Sequence, residues 1–375
     1  MNYLEYTVYV DVVDSFSGTY GNILLLPSIM SDLAGGALDF MSTASDSSFK
    51  IRGELTIAGN FDDSENNITI AARMVDYSAS LTSGILFTQG GTLNFSAQNG
   101  DLRRSAKESG YEDSKIRILT TSTKHVGHIY KSSYVASGKY ESTTFASPTS
   151  TLTIISDLAG TVGNYGDVSL TGYYSDVKEE NKADNSSGNT LSSAVFRANA
   201  LTLKNNFSAT LAAQQVATIK SWKDAKANDN NISASGIWVE GGNLLVEGNF
   251  GTRTGSKSDY KYSGRIVAAT SNVKLYARTS DTDNAEGDAS ATGNVFGAYG
   301  IRAEAGDIVM KRDFGAQVSA SLSNITVAVA ASGADKTPTL SGSLYSFGMK
   351  ANNFSLDGIF NGKLDASISN VKFSG

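Results

Sequence analysis

The chain has 375 residues, no cysteine, two histidines, 37 glycines and three prolines, and its 31 basic against 37 acidic residues leave a formal net charge of −6. Without thiols there is no disulfide framework, thiolate metal site or thiol catalysis, and two histidines nearly exclude a histidine zinc site. The mild acidity lacks the basic stripe that releases phosphate counterions from a nucleic acid, and no apolar run nears the roughly 20 residues of a membrane-spanning helix.

Residues 1–47 carry the weakest internal similarity and read as an N-terminal cap or atypical first coils. The opening Met1-Asn2-Tyr3-Leu4-Glu5-Tyr6-Thr7-Val8 alternates like a strand and lacks the basic flank and helical apolar core of a signal peptide. An exported protein would therefore be represented here by a mature piece or an excised segment. The densest apolar run, Ile23-Leu24-Leu25-Leu26, stops at Pro27, and Ser31-Asp32-Leu33-Ala34-Gly35 is echoed later by Ser156-Asp157-Leu158-Ala159-Gly160.

From 48 to 375 a repeat organises the chain. Leu55-Thr56-Ile57-Ala58-Gly59-Asn60-Phe61 aligns with the heptapeptides beginning at Leu201, Leu244, Ile308 and Phe354, all apolar at relative positions 0, 2 and 6. Degenerate copies contain Leu93 and Phe95, and Leu152, Ile154, Leu158 and Val162. The first two apolar positions share one face of a strand. Gly59-Asn60, Asn205-Asn206 and Gly248-Asn249 tolerate positive φ, so a bend there is expected to aim the following Phe inward. Phe207, Phe314 and Phe360 are each followed four residues on by Leu211, Val318 and Leu364, then by Ala213, Ala320 and Ala366. Short strands precede the copies, as in Ser235-Gly236-Ile237-Trp238 and Tyr299-Gly300-Ile301-Arg302, and a second strand set includes Val273–Ala277 and Ile325–Val329. Spacing in the Phe position varies around a mean of about 47 residues, which a solenoid tolerates because its loops grow outward.

Strands of four to six residues with one apolar face bury that face only if coils stack. The predicted fold is all-β, a parallel β-helix built from degenerate repeats, with like residues stacked on like and coils about 4.8 Å apart. Eight units of one or two coils each make a rod of roughly 40–80 Å. The stretch near 124–190 is less regular and loop-rich, and is where a ligand site is expected. Val371-Lys372-Phe373-Ser374-Gly375 still follows the strand pattern, so truncation of a longer array or end-to-end pairing with another subunit is anticipated.

These Gly-Ile strands, apolar-x-apolar strands and Gly-Asn-Phe or Asp-Phe-Gly turns resemble the coils of secreted bacterial β-helix proteins, the autotransporter passenger domains and filamentous-haemagglutinin-like adhesins. The resemblance lies in repeat style over most of 48–375. It implies an exported, surface-attached adhesive protein without catalytic activity, with host or surface glycans or proteins as partners. The chain departs from the full-length pattern of that family in having neither a signal peptide nor a C-terminal membrane barrel.

Several clusters deserve comparison with catalytic and metal sites. Asp62, Asp63 and Glu65; Asp101, Arg103 and Arg104; and Lys178, Glu179, Glu180, Lys182 and Asp184 supply the residue types of polysaccharide lyases and hydrolases. No acidic pair recurs on a shared strand face, so they read as solvated loops. Asp281, Asp283, Glu286 and Asp288 place hard carboxylates at alternate positions, which suits calcium. Ala285 and Glu286 nevertheless stand where a calcium loop wants an oxygen ligand and then Gly, and a long acidic surface loop is the simpler reading. His125 and His128 fall on opposite faces of a strand. Gly90-Gly91 and Gly241-Gly242 read as corners, since no helix follows to bind phosphate. Tyr130, Tyr134, Tyr140, Tyr173 and Tyr174 form either an exposed strip that stacks on sugar rings or ordinary half-exposed strand tyrosines. The Phe of Asn206-Phe207-Ser208 reads as core, so that glycosylation triplet need not be used. No catalytic, cofactor or metal residue is assigned. A polysaccharide-degrading or glycan-binding tailspike-like protein is the alternative on the same fold, and an outer-membrane β-barrel is a third, against which the repeated Gly-Asn breaks count.

Overall fold

A computed structural model describes residues 138–171, 186–222, 225–279, 288–332 and 336–375. Toward the N-terminus it adds the strands Leu4–Glu5, Thr19–Tyr20, Ile23–Leu25, Ala37–Ser42, Asp46–Gly59, Asn66–Met74, Leu81–Ala97 and Ile116–Val126. Among the described residues the structure is all-β, with two stacks of parallel strands, 13 in the first sheet and eight in the second. The chain passes from one sheet to the other and back, as in Thr190–Leu203 to Thr210–Trp222 and on to Asn231–Val239. This curled parallel arrangement is consistent with the predicted β-helix. The second strand set belongs to the second sheet, in Arg265–Arg278 and Gln317–Ala330.

Like stacks on like across the repeat positions. Leu152, Leu201, Leu244, Ile308 and Phe354 are in register, as are Val162, Leu211, Ile266, Val318 and Leu364. Leu158, Phe207, Phe250, Phe314 and Phe360 bridge in the same order at the corner between the sheets. The Phe207–Phe250, Phe250–Phe314 and Phe314–Phe360 centroids are 4.3, 5.6 and 4.8 Å apart with nearly parallel rings. These columns form one apolar core beside the corner. A second core lies toward the other end of the strands, where Leu191, Ile232 and Phe296 meet Leu170, Ile219 and Leu275. Buried polar groups include Ser193, whose hydroxyl donates to Asn164 Oδ1 at 2.5 Å, and Thr270, which donates to the Gly297 carbonyl at 2.6 Å.

The strands are longer than the expected four to six residues, reaching 14 in Thr190–Leu203 and 17 in Leu81–Ala97. In Thr190–Leu203 the predicted pair of strands is one, joined through a register shift between Ala198 and Ala200. In later coils they separate, as Asn231–Val239 and then Leu244–Val246. A 14-residue strand extends about 45 Å, so each coil is broad and flat. Sheet contact sets the need for small residues along it: a Cβ on Gly236 or Gly300 would strike Ile266 or Val318 of the facing sheet.

The expected role of the Gly-Asn pairs is corrected. The described pairs Asn205-Asn206 and Gly248-Asn249 are not at positive φ. Instead Asp157, Asn206 and Asp313 use a side-chain oxygen to accept the backbone N–H of Asn206, Asn249 and Ile359 in the next coil, at 2.8–3.0 Å. Gly248 is required because a Cβ there would collide with the Asn205 backbone. Positive φ falls on Asn272, Asn324 and Asn370, midway along the second sheet, where the side chains form a ladder with Nδ2-to-Oδ1 distances of 3.0 and 3.2 Å. Gly90 and Gly91 lie within one strand at a register shift, whereas Gly241 and Gly242 do make a corner.

Asn189, Asn230 and Asn294 form a fully buried ladder, their Nδ2 groups donating upward at 2.8 and 3.0 Å. It stops where Asn294 meets Gly342, leaving Asn294 Nδ2 without a partner. Replacing Asn230 by Ala strands the donors of Asn189 and should cost about 2–3 kcal/mol, whereas Gly342→Asn extends the ladder and should gain about 1 kcal/mol once the Phe373 ring yields slightly. Urea midpoints of the two variants against the parent check both signs. Phe250→Ala, in the middle of the ring stack, should cost about 3–5 kcal/mol in the same measurement.

Candidate functional site

Few of the sequence candidates fall among the described residues. Tyr140 is only 4% exposed and packs in the second core beside Leu191, so it belongs to no exposed strip. Asp288 is at the surface, 3.5 Å from Lys336 Nζ. Phe207 is buried as expected. His125 lies on the strand Ile116–Val126 and pairs with Ser169. The candidates Asp62, Asp63, Glu65, Asp101, Arg103, Arg104, Lys178, Glu179, Glu180, Lys182, Asp184, Asp281, Asp283, Glu286, His128, Tyr130, Tyr134, Tyr173 and Tyr174 lie outside the described residues. Within the stretch 124–190, Lys139–Ile154 and Thr161–Thr171 are strands.

Two outward faces concentrate chemistry that the repeat pattern did not reveal. On the first sheet Arg197, Trp238, Arg302 and Lys350 are in register in successive coils. The two guanidinium carbons lie 4.3 and 3.7 Å from the Trp238 ring, and that of Arg302 also lies 4.6 Å from Tyr299. Guanidinium over a ring face is attracted by the ring quadrupole. Arg197 pairs with Glu141 at 2.9 Å and with Glu240, while Glu304 takes Arg302 at 3.0 Å and Lys350 at 3.4 Å. Burial opposes the Arg197 charge, but Glu141 and Glu240 outweigh it and raise its pKa. Arg302, 6% exposed, is depressed by burial to about 10 despite Glu304. Three cations thus meet three carboxylates around rings already covered. The ladder is a structural seam, with the exposed Tyr345 and Phe347 rings, 6.4 Å apart, at its edge.

On the outward face of the second sheet an open groove of about 770 Å³ is lined by Lys220, Lys274, Tyr276, Arg278, Ala328 and Ala330, with other residues at its margins. Lys220, Tyr276 and Ala328 are successive register partners, and Ile219, Leu275 and Val327 beside them point into the core. Among the described residues no group of three or more His, Asp or Glu converges to hold a metal ion, and no helix is long and apolar enough to cross a membrane. No family model, curated protein or solved structure matches the chain.

Burial pushes the Tyr140 phenol up to about 12 from its ordinary 10. The folded state therefore keeps a proton that the unfolded chain releases above pH 10, and this part of the stability is present below pH 10 and lost between 10 and 12. The loss amounts to about 2–3 kcal/mol. Urea unfolding at pH 9 and pH 11.5 should show a smaller alkaline loss in Tyr140→Phe than in the parent, and equal losses would refute the assignment.

Proposed function

We propose that the chain is a non-enzymatic extracellular structural and adhesive β-helix at a bacterial cell surface, in which each unit of about 47 residues makes one coil. The observation that carries this reading is the persistence of residue columns through coils of unequal length. Ladder partners are 41 residues apart at Asn189 and Asn230, 43 at Asn206 and Asn249, 64 at Asn230 and Asn294, and 46 at Asp307 and Asn353. Additional length leaves the columns intact, as in the exposed hairpin of Arg253–Thr254 and Lys261–Tyr262 between Phe250 and Arg265. Such a scaffold holds a rigid surface and varies its loops, which suits adhesion and supplies no chemistry of its own. Exported β-helix adhesins of the autotransporter and filamentous-haemagglutinin kind are the setting this implies. End-to-end association belongs to the same proposal, because strands stacked in parallel can pair with those of a second copy.

Removing residues 208–250 deletes one unit and joins Phe207 to Gly251, restoring the Leu, Phe and Asn columns. That deletion should keep a cooperative thermal transition and the parent's β-sheet circular dichroism, whereas removing residues 208–229 alone should abolish both. Adhesion is tested by displaying the chain on a non-adherent bacterium and counting cells retained on epithelial monolayers. Retention no better than that of the undisplayed strain would reject the adhesive role.

A further inference from the structure

Six buried side-chain polar atoms among the described residues have no hydrogen-bond partner, and three of them, Ser235 Oγ, Trp238 Nε1 and Arg302 Nε, belong to the seam on the first sheet. Register brings these three together. Trp238 and Arg302 are partners in adjacent coils, with the Arg302 guanidinium carbon 3.7 Å from the indole centroid. Ser235 stands three residues before Trp238 and pairs with Tyr299, whose ring lies 4.6 Å from the same guanidinium carbon. Ser235, Tyr299, Arg302 and Trp238 thus close a circuit over two coils.

Stacking explains why these bonds are open. An indole N–H and a guanidinium only donate, so in register they cannot bond to each other. Arg197, against the same indole from the preceding coil, meets this difficulty with a carboxylate: its Nε donates to Glu240. Arg302 sends Nη1 to Glu304 at 3.0 Å, and Glu304 is shared with Lys350, which leaves the Arg302 Nε–H without an acceptor. Burial makes each open group unfavourable, and Ser235 is 1% and Arg302 6% exposed. The circuit lacks an acceptor for two N–H groups that also engages a hydroxyl. A water oxygen has two lone pairs for the two donors and hydrogens left for Ser235 Oγ, and buried waters typically make about three such bonds to otherwise open polar groups. An anion would serve the donors too, but the three cations of the seam already face three carboxylates, so a neutral acceptor preserves the balance.

We propose that the seam contains an internal water-binding site, in which one water molecule accepts from Trp238 Nε1 and Arg302 Nε and donates to Ser235 Oγ. The site ties the coil of Asn231–Val239 to that of Ser290–Ala303 where register sets two donor-only groups against each other. It concerns how the coils are held together and is independent of the adhesive reading.

A double-mutant cycle on the full chain tests it, read as urea midpoints, with circular dichroism verifying that the variants fold. Ser235→Ala removes only a hydroxyl, and Trp238→Phe removes the indole N–H while keeping a ring against the guanidinium groups. Deleting a buried hydroxyl that has no partner raises the midpoint, whereas deleting a bridged one lowers it. A lower midpoint is expected for each single variant, and the double variant should lose less than the two losses added, because one water serves both side chains. An unchanged or raised midpoint in Ser235→Ala, or additive losses, would overturn the proposal. Exchanging sodium chloride for sodium gluconate at equal ionic strength should leave the parent's midpoint in place; a fall seen in the parent and absent from the double variant would assign the site to chloride and reject water. A crystal structure of the parent gives the direct reading: an ordered oxygen within hydrogen-bond distance of Trp238 Nε1, Arg302 Nε and Ser235 Oγ is expected, and direct protein partners for these atoms would refute the site.

Discussion

Each residue of a parallel stack lies about 4.8 Å from its counterpart in the next coil, and most of this structure follows from what tolerates that proximity to a near copy of itself. Aromatic rings do, and Phe207, Phe250, Phe314 and Phe360 stack face to face. Amides do as well, because each is at once donor and acceptor: the Nδ2 of one asparagine finds the Oδ1 of the next. Like charges do not, since two cations at such a spacing repel strongly wherever water is excluded. The charged columns are accordingly interrupted. Trp238 separates Arg197 from Arg302, Gln317 separates Arg265 from Lys363, and Thr326 separates Lys274 from Lys372. Where Arg302 and Lys350 do meet in adjacent coils, Glu304 bridges both.

The same constraint governs where the chain is free. Backbone pairing fixes the strands but not the distance in sequence between them, so one pair of coils is separated by 41 residues and the next by 64 while the asparagine ladder continues unbroken. Additional residues leave the stack sideways. The hairpin after Phe250 is the clearest case. It closes on itself through Thr252 and Ser263 and reaches back to the stack through Arg253, which donates to Asn361. Insertions of this kind add surface without disturbing the core, and a binding function can change there at little cost in stability.

The parts of the fold legible in the sequence were those where stacking selects one residue type. The Phe and Leu columns recur at fixed offsets, so alignment finds them, and the all-β parallel class follows. Strand length was not legible, because Ser235-Gly236-Ile237-Trp238, which read as a short strand, lies within the longer Asn231–Val239, where Gly236 is a contact point between sheets. The asparagines were noticed for the wrong reason: their abundance reflects side-chain bonds between coils at Asn206, and positive φ belongs to Asn272 and its partners. Tyr140 looked like surface because tyrosine is ambiguous, and only the register opposite Leu191 puts it in the core. The groove was invisible for a different reason. Lys220, Tyr276 and Ala328 are far apart in sequence and follow no shared pattern, so the trough exists only once the second strand set is stacked.

The two outward faces show how one architecture produces opposite surfaces. On the first sheet, cations are inserted between rings and answered by Glu141, Glu240 and Glu304, so the coils are clamped together and little electrostatic potential remains outside. On the second sheet the coils are already held by backbone pairing, the buried column of Leu275 and Val327, and the Asn272–Asn324–Asn370 ladder. Lys220 and Lys274 take no part in holding these coils, and each stands between uncharged register neighbours, Thr171 and Tyr276 for the first and Thr218 and Thr326 for the second.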